Sequence, residues 1–256
     1  LHDFPSFLAS FHLSFCNVIP ENCIQLRSVI LSAVPRGMNV PDPFTPNLKI
    51  DVIPEMSQNP AILSNVVGPI NAMRNDLDIF LKNRQSTEFL RTLLPRLYKD
   101  GSKEIDHCRV NALVLYVGMH AVARQQNSQI SNHSAEMDIM QKLMELNDHG
   151  RYIVLNAVAN NLRFPSSHTH YFSCVMLFLF SEGKDEGVRE QVTRVLLERL
   201  IVHRPHPWGL VVTFIELIKN QRYQFWSHPF TRCATEIEKV FEGVARSCLT
   251  PSVQKD

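Results

Sequence analysis

Apolar residues recur along most of this chain at steps of three and four, the period of a helix with one buried face. In HCRVNALVLYVGMHAVARQQ, which starts at residue 107, Val110, Leu113, Val114, Val117 and Ala121 share a face. EGVREQVTRVLLERLIVH repeats the pattern through Val188, Val192, Val195, Leu196 and Leu200. Its outer face carries Glu186, Glu190, Arg194 and Glu198 four apart, so a Glu190–Arg194 pair is expected. EIEKVFEGVA is expected to bury Ile237, Val240, Phe241 and Val244. Period-two alternation bounded by turn residues is hard to find. The pattern therefore predicts an all-α architecture of roughly a dozen helices of ordinary length.

Boundaries follow from local chemistry. Asn59 before Pro60 and His206 before Pro207 read as helix starts, because proline fits the first turn. Ser134, Asp185 and Thr235 read as N-caps. Helix starts near residues 107, 149 and 186 lie about 40 apart, the period of two-helix, HEAT-like repeats. No self-similarity in sequence accompanies that spacing.

Residues 34–58, VPRGMNVPDPFTPNLKIDVIPEMSQ, break the pattern. Prolines 35, 41, 43, 46 and 54 deny this stretch a continuous helix. It is long for a connector, yet it carries Val40, Phe44, Leu48, Ile50, Val52 and Ile53, which a solvated linker would not need. The expectation is a proline-rich extended strap laid on the helices, or a surface for a partner. A second loop, QQNSQISNHS at 125–134, is polar and reads as mobile.

Charge and composition narrow the function classes. The 26 basic and 25 acidic residues leave a net charge of +1, so phosphate attraction is not expected to drive nucleic-acid binding. A helical-repeat domain that binds RNA directly is the alternative reading, and the near-neutral charge weighs against it. The six cysteines, Cys16, Cys23, Cys108, Cys174, Cys233 and Cys248, form no CxxC pair and sit mostly in apolar patterns. That suits inert thiols in a reducing compartment, read as cytosol or nucleus. The longest apolar run is far short of a membrane helix. A start at Leu1 rather than Met is expected of a segment of a longer protein.

RFPSSHTHYFSC brings His168, His170 and Cys174 together, and HRPHPW adds His203 and His206. With Ser166 or Ser167 as a cap, His168 and His170 fall in one helical turn on different faces. Helical metal ligands sit three or four apart, so this spacing does not converge. Phe172, Val175, Met176, Phe178 and Leu179 mark the helix as buried, and capping or buried roles are expected for the histidines. No GxGxxG, P-loop or GxSxG is present. Asp76 and Asp78 read as a solvated face. Trp208, Phe225 and Trp226 lie in or beside turns, where such aromatics serve either as core or as interface anchors.

Five segments carry a further signal: VIPENCIQLRSVILSAVPRGMNVPDPFTPNLKIDV, NALVLYVG, GRYIVLNAVANNLRFPSSHTHYFSC, VTRVLLERLIVHRPHPWGLVVTFIELIKN and FTRCATEIEKVFEGVARSC. They resemble the C-terminal homology domain of the large scaffold subunit, subunit one, of the CCR–NOT deadenylase complex, from about Phe4 to Cys248. Residues 58–106 and the loop 125–134 match less well. The resemblance implies one HEAT-like domain over 1–248, with a disordered tail at 249–256. It implies no catalytic activity, no cofactor and no metal. Its partners would be the NOT-box subunits two and three, whose extended segments wrap the scaffold, together with short linear motifs of RNA-binding repressors. No direct nucleic acid and no membrane are expected, and the fragment alone is expected to be monomeric. The setting would be mRNA deadenylation, decay and translational repression, with links to transcription, in cytoplasm and nucleus. Phe44 and Leu48 in the strap, and Trp208, Phe225 and Trp226 near the later turns, are the candidate partner-binding residues.

Overall fold

The computed structural model describes residues 3–249 apart from 64, 66–67, 85–86, 126–132, 184–185 and 233–234. Residues 126–132 of the loop expected to be mobile, the Asp185 cap and the tail from residue 250 lie outside the described residues. Among those described, twelve α-helices follow in order: α1 Pro5–Ser10, α2 His12–Val18, α3 Ile24–Leu31, α4 Arg74–Asn83, α5 Thr87–Leu93, α6 His107–Gln125, α7 Ala135–Leu143, α8 Asp148–Ala159, α9 Ser167–Ser181, α10 Glu186–Leu200, α11 Trp208–Lys219 and α12 Thr235–Leu249. No strand occurs among the described residues, where β pairing is limited to an isolated bridge between Tyr98 and Ile105.

Why these helices form is local, and how they stack is apolar. Ser134, Asn147 and Ser166 cap α7, α8 and α9, each side-chain oxygen accepting a backbone N–H of the first turn. From His107 onward, alternate helices pack into two layers. α6, α8 and α10 form one layer, and α7, α9, α11 and then α12 form the other. Starts at His107, Asp148 and Glu186 keep the period near 40, so this is a HEAT-like array. All five predicted core positions of α6 and all five of α10 are buried in one continuous cluster. α2 and α3 close the first layer against α6 and α10.

Several expectations need correction. Asn59–Pro60 starts no helix: the chain is irregular there, and the Asn59 side-chain oxygen accepts from the Ser167 hydroxyl at 2.6 Å instead of capping a first turn. Pro207 is the N-cap of α11 rather than its first helical residue. Thr235 is already inside α12. Arg194 pairs with Glu198 at 2.6 Å instead of Glu190, since Glu198 is also anchored by the Tyr152 hydroxyl at 2.7 Å. On α12, Phe241 and Val244 are buried but Val240 stays exposed at the edge of the face, and the Ile237 side chain lies outside the described set. Asp76 and Asp78 are partnered rather than merely solvated: Asp76 meets Arg96 at 2.6 Å, and Asp78 accepts from Tyr116 at 2.6 Å.

Candidate interaction surface

The proline-bearing segment becomes a strap across α11. It is not wholly extended: Ile50–Val52 and Pro54–Ser57 make 3₁₀ turns, with Pro54 at the first position of the second turn. Gly37 turns the chain at φ +79°, a conformation that disfavours any side chain. The strap then seals onto α11 with a small apolar cluster of its own. Met56, Trp208 and Val212 form its buried centre, and Val40, Leu48, Ile50 and Ile53 pack around them. One polar bond fixes the register: the Trp208 indole N–H donates to the Pro41 carbonyl at 2.8 Å. The far end is tied to α9, where the Ser167 backbone N–H donates to the Gln58 carbonyl at 2.9 Å.

Two depressions flank this seam. A groove of about 410 Å³ runs between the strap, α9 and α11, with Leu48, Ile50, Val52, Leu177 and Val212 on its apolar walls and His170, Lys49 and Glu216 at polar points. A second, of about 240 Å³, lies between Pro43, Thr45 and Leu48 on the strap and Ile215 and Lys219 on α11. Leu48 and Ile50 border both. Val52 is 70% exposed, a large apolar side chain presented to solvent beside a groove. A third, open depression of about 400 Å³ follows α11 and is lined by Ile218, Asn220, Gln224 and Trp226.

The five candidate residues fall into two groups. Trp208 is 6% exposed and Phe225 is 1% exposed, so both belong to the interior of this chain. Phe225 sits among Phe180, Phe214, Trp226, Phe230 and Phe241 at ring separations of 5.1–6.2 Å. Phe44, Leu48 and Trp226 are half-buried and reachable. Phe44 lies under the Arg204 guanidinium, 5.7 Å from its ring centre. Trp226 donates its indole N–H to the Ile218 carbonyl at 3.1 Å. The fold brings Leu48 and Trp208 together on one seam, and it adds Ile50, Val52, Met56 and Val212. Apolar residues in the strap were the sequence signal for Ile50 and Val52. Met56 and Val212 gave none.

Of the histidines singled out by sequence, His168 is buried, whereas His170 and His206 are half-buried and His203 is exposed. Ser166 caps α9, and His168 sits in its first turn, 4% exposed, with its ring edge-on to Phe172. Burial, with Arg163 adding to it, lowers its pKa to about 4, so the ring is neutral. His12 is wholly buried beside the same arginine, and burial pushes its pKa well below the usual range. Among the described residues, no three His, Cys, Asp or Glu side chains converge as metal ligands would. Cys16, Cys23, Cys108 and Cys174 form no disulfide. Cys108 is exposed rather than inside an apolar face, and what burial it has, with Asp106 nearby, raises its pKa. No helix among the described residues is long and apolar enough to cross a membrane.

Comparison with known proteins agrees with this architecture. Residues 1–245 match the family described as CCR4-Not complex component, Not1. The chain is 48% identical over 261 residues to the CCR4-NOT transcription complex subunit let-711 of Caenorhabditis elegans, covering 97% of this chain and 10% of that protein. It is 36% identical over 262 residues to General negative regulator of transcription subunit 1 of Schizosaccharomyces pombe, covering 98% and 12%. Among solved structures it matches the NOT1 superfamily homology domain from Chaetomium thermophilum with a TM-score of 0.89 at 30% identity, over 96% of this chain and 52% of that one. It also matches a Not1 C-terminal domain solved in complex with Not4, with a TM-score of 0.84 at 28% identity, over 94% and 51%. The chain thus spans about a tenth of the length of these curated relatives and about half of the solved chains.

Proposed function

The chain belongs to the Not1 component family of the CCR4-Not complex, a non-catalytic family, and from that membership we propose that it is a docking scaffold for the NOT-box subunits two and three. Residues 1–248 act as one unit in this reading, monomeric on its own and working in cytoplasm and nucleus. The output is mRNA deadenylation, decay and translational repression by the assembled complex. Short linear motifs of RNA-binding repressors are a further class of guest.

The observation that carries the proposal is the seam between strap and α11. It presents Leu48, Ile50 and Val52 over two grooves, while Trp208, Met56 and Val212 hold them from beneath. An extended peptide laid along such a seam gains buried area over a long, shallow track and loses chain entropy as it orders. A related domain solved with Not4 supports the view that domains of this kind receive other subunits.

Calorimetry with a heterodimer of subunits two and three that retains its N-terminal extensions tests this. Sub-micromolar binding is expected. Leu48→Glu together with Val52→Glu should weaken it at least about tenfold, since charges would enter an apolar track. No binding by a folded chain would reject the docking role. Tight binding indifferent to both changes would keep the role and reject the seam.

A further inference from the structure

The α6–α8–α10 layer has a feature that subunit docking on the strap does not use. A cleft of about 260 Å³ opens between the α2–α3 connection, the start of α6 and the C-terminal half of α8. Its lining includes Arg27, Asn156 and Asn160 together with Cys16. Arg27 is 7% exposed and Asn160 is 1% exposed. Arg27 donates through Nη2 to the Ile19 and Pro20 carbonyls at 2.9 and 3.4 Å, and its Nε has no partner. Arg199 lies behind the wall, also buried, and donates to the side-chain oxygens of Asn156 and Asn160, both at 2.8 Å. Those bonds commit the Asn160 oxygen and leave its NH₂ as a donor in the cleft wall.

A third buried guanidinium, Arg163, completes the group. Burial raises the Cys16 thiol, and Arg27, Arg199 and Arg163 each oppose it, so three positive charges act on one point. Among the described residues none of the three is paired with a carboxylate. Every hydrogen bond they make goes to a neutral carbonyl or amide oxygen. The acid at the cleft, Glu21, meets His107 Nδ1 at 2.9 Å.

Glu198 acts on Arg199 only through space, and buried cations without a directly paired carboxylate are costly. An oxyanion, which only accepts hydrogen bonds, is the complement of guanidinium and amide donors. The cleft lies below the roughly 300–1,000 Å³ of sites for drug-sized ligands, which suits a small ion. We propose that this cleft binds a small oxyanion, a phosphate or a carboxylate, held by Arg27 and the Asn160 amide in the field of Arg199 and Arg163.

The test is thermal melting of the whole chain in inorganic phosphate, in acetate and in sodium chloride at matched ionic strength. A saturable rise in Tm of several degrees over chloride is expected. Saturation by phosphate alone assigns a phosphate, and saturation by acetate as well assigns a carboxylate. Arg27→Gln should abolish the rise. Should that variant fail to fold, Asn160→Asp, nearly isosteric and still able to accept from Arg199, supplies the counter-charge from within and should abolish it too. Equal melting in all three salts overturns the proposal, as does a rise undiminished in the folded variants.

Discussion

Trp208 joins strap to array, and shortening it should loosen one without dissolving the other. Trp208→Phe deletes the donor to the Pro41 carbonyl at 2.8 Å and keeps an aromatic ring between Met56 and Val212. A hydrogen bond of this kind nets about 0.5–1.5 kcal/mol. Pro41 is half-buried and its carbonyl can turn to water, which argues for the middle of that range, about 1 kcal/mol. Because the bond ties only the strap, the cost should fall on strap opening, roughly a fivefold rise in the open fraction. Trp208→Ala removes the ring from a site 6% exposed and should cost about 3–5 kcal/mol of global stability. Amide hydrogen exchange separates the two effects. Ile53 and Met56 donate within the strap at 3.1 and 3.0 Å and report on it, while Val114 and Val154 report on the core. In Trp208→Phe the first pair should exchange about fivefold faster, with the second pair unchanged. Unaltered exchange at Ile53 and Met56 would refute the reasoning.

Acid should weaken the fold, because His12 and His168 are buried neutral. A lowered folded-state pKa means that the unfolded chain takes up the proton first, so stability falls as pH drops below about 6.5. For His168, with a folded value of about 4, the loss at low pH is on the order of 3 kcal/mol; urea unfolding at pH 7 and pH 5 measures its onset, and equal stabilities would contradict it. Gly118 has no room for a side chain, since a Cβ there would stand 2.3 Å from Phe172 Cζ in the core. Gly118→Ala should cost about 1–3 kcal/mol, and Phe172→Leu on top of it should recover part of that cost; independent, additive losses would be the contrary result.

The long helices were plain because their apolar positions recur over four or more turns, and α6 and α10 buried every position expected of them. Cap signals were less reliable. Ser134 caps α7 as read, while Asn59 has the same local signature but gives its oxygen to Ser167, 108 residues away. The strap was legible as a proline-rich stretch with apolar residues it had to place somewhere. Which aromatics face outward was not, because Phe225 and Trp226 are neighbours in one turn and only the first is buried. The group of Arg27, Arg163 and Arg199 left no trace in sequence, since nothing in their spacing says that the fold will gather them around Cys16.

A docked partner slows amide exchange where it covers this chain. Hydrogen exchange of this chain, free and bound to the heterodimer of subunits two and three, maps that directly. Slower exchange across residues 40–57 and 208–220 is the predicted result. A complex that forms while those residues exchange as in the free chain, with protection confined to other helices, would contradict it.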